Sequence, residues 1–183
     1  LMGANVYSLL KVFVIPSAVS TVSANTTSSS TSSSTASTST GKVTKTDTTY
    51  KDDNMDIKIT TGKTSDTTYY VADIQLSSAD YLKTALAQNT YGTNITDTTS
   101  SIAQQNNAIF AINGDYYGAN QSGYVIKNGQ VYRDTDRNSD YEDLAVYSDG
   151  SFKTFKESDT TAQKLVDSGV VNTFAFGPTL VEN

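Results

Sequence analysis

The sequence predicts an α+β domain: a mixed or antiparallel sheet with hairpins and a few packed helices. Three observations carry this. An uninterrupted apolar run at 108–112, Ala-Ile-Phe-Ala-Ile, has the length of a strand buried on both faces. Residues 124–127 and 130–133 flank Asn128-Gly129, the strongest short hairpin signal. Residues 144–147 and 152–155 flank Ser148-Asp149-Gly150 and read as a second hairpin.

Residues 1–22 are mostly apolar but broken by Lys11 and Pro16. They are expected to be the end of an N-terminal membrane anchor or signal. Residues 23–49 are dominated by Ser and Thr, a composition expected to stay disordered as a stalk. The folded domain is assigned to 50–183 and its first strand begins near Asn54, where Met55, Ile57 and Ile59 alternate with polar residues up to Thr61-Gly62. Residues 69–76 form the next strand, with Val71 opposite Ala72, Ile74 and Leu76. Ser78 and Asp80 signal a helix start, with Tyr81, Leu82, Ala85 and Leu86 on one face. Residues 99–105 read as a second helix leading into the 108–112 strand. Ser158-Asp159 is expected to cap a helix with an apolar stripe of Ala162, Leu165 and Val166, ended by Gly169. The last strand runs over 170–176.

Composition narrows the chemistry. The 183 residues contain no cysteine and no histidine, so thiolate chemistry, a Ser-His-Asp triad and the usual zinc ligands are excluded. Acid–base work falls to carboxylates, tyrosines or lysines. A net charge of −6 argues against a nucleic-acid partner. No phosphate-binding loop or dinucleotide fingerprint is present, and no cofactor is expected. The connection at 134–143 is crowded with charge and reads as a solvated loop. Its oxygen-rich side chains suit calcium, but the spacing departs from the EF-hand pattern, and no metal is assigned.

The candidate site follows the 108–112 run, where Asn113-Gly114-Asp115-Tyr116-Tyr117-Gly118 sets an amide, a carboxylate and two phenols between glycines at a strand end. Glycine there permits close approach of a ligand to the main chain. Read without reference to any family, the same residues also serve as turn and capping groups.

Ala-Ile-Asn-Gly-Asp-Tyr-Tyr-Gly, the following Gly-Tyr-Val-Ile-Lys-Asn-Gly and the late Phe176-Gly177-Pro178-Thr179-Leu180-Val181 resemble the phosphodiester glycosidase family. That family includes the animal enzyme that uncovers mannose-6-phosphate by removing N-acetylglucosamine, and bacterial proteins associated with exopolysaccharide. The resemblance runs from about Asp56 to the last residue. Many members read Asn-Gly-Gly-Phe-Phe where this chain has Asn113-Gly114-Asp115-Tyr116-Tyr117. Family members continue beyond the Phe-Gly-Pro motif with further strands and with arginine- and aspartate-containing motifs, so the resemblance implies a domain truncated at the C-terminus.

The resemblance implies an extracellular, anchored or secreted hydrolase that cleaves a sugar-1-phosphodiester in cell-surface or exopolysaccharide glycans. The alternative is a non-catalytic glycan-binding or exopolysaccharide-assembly module. On the enzymatic reading Asp115 and Asn113 are the catalytic candidates, Asn113 binding a sugar hydroxyl. Tyr117, Tyr116, Gly114 and Arg133 bind substrate, Arg133 through its guanidinium fork on the phosphodiester. Asn113 and Tyr117 are expected to hydrogen-bond Asp115, and a second carboxylate is sought among 134–143 or beyond this chain. The partner is a carbohydrate or glycan phosphodiester; the membrane is met only through the anchor.

Overall fold

A computed structural model describes residues 11–14 as backbone, 42–175, and 179. In chain order it contains β1 (Lys11–Val14), β2 (Thr44–Lys45), β3 (Thr49–Lys51), β4 (Met55–Lys63), β5 (Thr68–Leu76), β6 (Leu82–Lys83), α1 (Thr99–Gln105), β7 (Phe110–Asn113), β8 (Val125–Lys127), β9 (Gln130–Arg133), β10 (Glu142–Tyr147), β11 (Phe152–Lys156), α2 (Ala162–Asp167) and β12 (Val170–Phe174). All strand pairings are antiparallel among the described residues. The α+β class with antiparallel sheets and few helices is therefore what the chain adopts.

Two compact units divide the chain, Ser17–Ser77 and Leu1–Pro16 with Ser78–Asn183. The first is a sheet in the order β2-β3-β4-β5. Its long pair β4–β5 runs in unbroken register from Met55↔Leu76 to Lys63↔Thr68. Asp52 accepts the amides of Asn54 and Met55 at 2.8 Å each and so shapes the β3–β4 turn. At its far end the pair Gly62↔Tyr69 places the tyrosine ring across the glycine, where a Cβ would lie 2.1 Å from Tyr69 Cζ. Strand pairing begins at Thr44, ten residues before Asn54 and inside the Ser/Thr-rich tract. Threonine is β-branched and suits a strand once partners exist; residues 23–41 of that tract lie outside the described residues.

The second unit holds the orders β6-β1-β7, β11-β10-β12 and β8-β9. Within the stretch read as an anchor end, Lys11–Val14 pairs with both β6 and β7; its neighbours lie outside the described residues. Among the described residues no helix is long and apolar enough to cross a membrane. The expected helix after Ser78 does not form. Ser78 does cap, accepting from the Asp80 amide, but only a single 3-10 turn follows. Leu82 and Lys83 then pair with β1, and the sheet takes precedence over the helical spacing. α1 forms as expected, with Thr98 accepting from Ser101, and its Ile102 packs near Ala108 and Ala111. The strand after it is Phe110–Asn113. It is half-buried, with Ile112 exposed, rather than covered on both faces.

Both hairpins are present. Asn128 and Gly129 have φ of 51° and 79°, the positive values that a type I′ turn requires at both central positions. The main core gathers Tyr124, Ile126, Ala145, Ala162, Leu165 and Val170. α2 covers it, but its N-cap is Thr161, which accepts from Lys164; Asp159 lies in the preceding 3-10 turn. Gly169 follows the helix at φ 100°, the left-handed stop expected of it. The last strand ends at Phe174, and 176–178 lie outside the described residues.

Candidate functional site

β7 delivers Gly114 and Asp115 to a narrow cleft with room for about one water molecule. Thr84, Ala85, Leu86, Tyr117, Lys127 and Phe174 complete its lining. Of the sequence-predicted residues, the cleft thus unites Gly114, Asp115 and Tyr117. Asn113 is half-buried at the end of β7, Tyr116 is 62% exposed with its hydroxyl 3.5 Å from Asn94 Oδ1, and Arg133 lies behind the 117–123 loop.

The Asp115 side chain is 4% exposed. Its partners are not the expected Asn113 and Tyr117. Lys127 Nζ donates to Oδ1 at 3.3 Å, and the Ala175 amide donates to Oδ2 at 3.0 Å. Lys127, itself 6% exposed, also donates to the Thr173 carbonyl at 2.7 Å and sits 4.0 Å over the Phe174 ring. The sequence reading missed this lysine. Its signal was the apolar Val125-Ile126 before it, since all three residues of β8 are buried.

Tyr117 stacks on Tyr91 at 5.5 Å with 12° between planes, and Tyr91 meets Tyr132 at 5.0 Å. Burial first, then the charge of Asp115, raises the Tyr117 pKa above the usual phenol value, with Arg133 opposing. Its hydroxyl remains a proton donor at neutral pH. The close approach that Gly118 permits is taken up inside the protein, since a Cβ there would stand 3.2 Å from the Gly92 carbonyl.

Arg133 does not present its fork to the cleft. Nε donates to the Gly123 carbonyl, and Nη1 donates to the carbonyls of Asn120 at 2.6 Å and Tyr117 at 3.1 Å. It braces the 117–123 loop. The 134–143 connection is likewise not a simple solvated loop. Asp134 accepts the Ala162 amide at 2.9 Å at the start of α2, Asp136 accepts the Asn138 amide at 2.6 Å, and Asp143 is 1% exposed and ion-paired to Arg137. Each of these three carboxylates thus has a structural partner. No cluster of three or more metal-ligating side chains exists among the described residues.

Residues 106–183 match the family model for phosphodiester glycosidase. The matched segment holds β7, Asp115, Tyr117, Lys127 and Arg133, and the motifs that carried the resemblance fall inside it; the residues from Asp56 to Gln105 lie outside. Among curated proteins, the SPbeta prophage-derived uncharacterized protein YomE of Bacillus subtilis (strain 168) is 31% identical over 97 residues. That alignment covers 51% of this chain, and only 15% of the relative's length. No solved structure matches the chain.

Proposed function

We propose that this chain is part of an extracellular hydrolase that cleaves a sugar-1-phosphodiester in cell-surface or exopolysaccharide glycans. The observation that carries the reading is the buried Asp115–Lys127 pair at a strand-end cleft within the family-matched segment. The reaction breaks the bond from the anomeric carbon to the phosphate oxygen, adds water at that carbon and releases a phosphomonoester. Asp115, an acceptor facing a buried ammonium and an amide, stabilises positive charge developing at the anomeric carbon or orients the water. Tyr117, kept protonated by burial, donates to a departing phosphate oxygen. Asn113 and Tyr116, chain neighbours of the lining residues Gly114 and Tyr117, contact sugar hydroxyls. The cleft has room for about one water molecule, so the substrate itself is held elsewhere. The extracellular placement rests on the apolar N-terminal stretch and the Ser/Thr-rich tract.

The test is sugar release from a sugar-1-phosphodiester by the complete protein and by its Tyr117→Phe variant, with folding followed in parallel. A loss of roughly 10²-fold with unchanged melting supports the role, in the range of a positioned proton donor; activity within a few-fold removes Tyr117 from it. A second reading, a glycan-binding module, is favoured by the exposed Tyr116 beside the Tyr117–Tyr91–Tyr132 stack. Glycan binding without turnover by the complete protein would select it.

A further inference from the structure

Away from the cleft, a second buried cluster joins Arg137, Asp143 and Glu157. Glu157 is 2% exposed and rich in donors: Tyr124 N–H at 2.5 Å on Oε1, and Arg137 N–H at 2.7 Å with Nε at 3.4 Å on Oε2. Asp143 has the Arg137 guanidinium on Oδ1, while its Oδ2 has no hydrogen-bond partner among the described residues. The Arg137 guanidinium thus contacts both side chains, through Nη2 on Asp143 and Nε on Glu157. Two buried carboxylates therefore share one cation. Ionising both leaves an uncompensated negative charge away from water, which is costly.

We propose that Asp143 and Glu157 share a single proton, carried on Asp143 Oδ2, and that its loss loosens the clamp between the 134–141 loop and the start of β8. The donor count decides the location, since Glu157 is satisfied as an anion and Asp143 is not. The clamp itself is Glu157 bridging the Tyr124 and Arg137 amides, reinforced by the Gly123 amide on the Thr135 carbonyl at 2.7 Å. The other ionisable groups nearby are few. Tyr124 at the entry to β8 donates its hydroxyl to the Glu157 carbonyl at 3.1 Å, and Asp134 and Asp136 act on that tyrosine. Glu142 and Lys156 pair one position away from Asp143 and so point to the opposite sheet face. β12, reading Val-Val-Asn-Thr-Phe, brings none.

Burial first, then the neighbouring Glu157 carboxylate, raises Asp143 from the ordinary carboxylate range to about 7, with Arg137 opposing. The amide donors hold Glu157 below its usual value against the effect of burial. A raised folded-state value stabilises the protein fully below the unfolded value near 3.8, and that contribution is lost as pH rises to about 7. The chain has no histidine or cysteine, so no other side chain of ordinary pKa titrates between pH 5 and 7. The α-amino group, near 8, lies above the window.

The experiment is urea unfolding of the full chain at pH steps from 5 to 9. The wild type is expected to shift toward the unfolded state by up to about tenfold per pH unit between 5 and 7, for one proton, and to level off above that. Asp143→Asn, which cannot ionise, should be flat over the same window. A flat wild-type profile, or the wild-type slope retained in Asp143→Asn, overturns the proposal. Should that variant not fold, carboxyl-carbon NMR of wild-type protein decides: one aspartate resonance titrating near 7 supports it, and all aspartates titrating below 5 refutes it.

Discussion

Asp115 and Lys127 lie 3.3 Å apart with both side chains almost fully buried, and each is separately tied to the β12 end of the sheet. Asp115 takes the Ala175 amide, and Lys127 reaches the Thr173 carbonyl. The pair therefore has a structural duty beside any chemical one.

Asp115→Asn is expected to destabilise as well as inactivate. It removes the Asp115 charge from beside the buried Lys127 ammonium, and breaking a buried pair by removing one partner costs about 3–5 kcal/mol. Denaturant titration checks this. Adding Lys127→Met should recover most of the stability but none of the activity. Full stability in the single variant would show that water or a rotamer change relieves the lysine.

Arg133→Ala should loosen the 117–123 loop, because three hydrogen bonds to backbone carbonyls disappear together. A loss of about 1–3 kcal/mol is expected. Faster amide exchange should be confined to that loop. Arg133→Lys should restore little, since an ammonium lacks the planar fork that spans several carbonyls.

Local signals served the sequence reading best. Asn128-Gly129 and Ser148-Asp149-Gly150 specify their turns from within, and Gly169 stops α2 wherever the rest of the chain lies. The segment after Ser78 was misread because Leu82 and Lys83 are claimed by β1, some seventy positions earlier, and helical spacing holds no record of that. Of the residues lining the cleft, Gly114, Asp115 and Tyr117 were legible from their setting at a strand end. Arg133 and Asp143 were placed by residue type alone, and type does not reveal whether a charge faces substrate or the protein's own backbone. Lys127 was overlooked because a lysine beside a turn suggests solvent.

Asn172→Ala should cost about 2–4 kcal/mol, read by thermal or chemical unfolding. Its Oδ1 accepts from Thr84 Oγ1 at 2.8 Å and from the Asn128 amide at 2.9 Å, and it is 2% exposed. Removing it strands a turn amide and opens a void. Thr84→Val should cost less, since it removes a hydroxyl while Asn172 keeps the amide.

Gly169→Ala and Gly62→Ala should differ in kind. Gly169 has room for a methyl, its nearest contact being 3.6 Å, but φ of 100° strains any other residue, so at least about 1 kcal/mol is lost. Gly62 faces the Tyr69 ring, a half-exposed side chain that can swing aside. A small change in unfolding free energy with altered tyrosine fluorescence is expected there.

The bonds that close the cleft also set an order of events during synthesis. Asp115 must wait for Ala175, 60 residues downstream, and Lys127 for Thr173, 46 residues downstream. At translation speeds of roughly 5–20 residues per second, the aspartate spends seconds outside the ribosome before its amide partner emerges. Throughout that interval a carboxylate and an ammonium destined for burial remain hydrated, so the nascent site is water-filled, and it dries only when β12 docks.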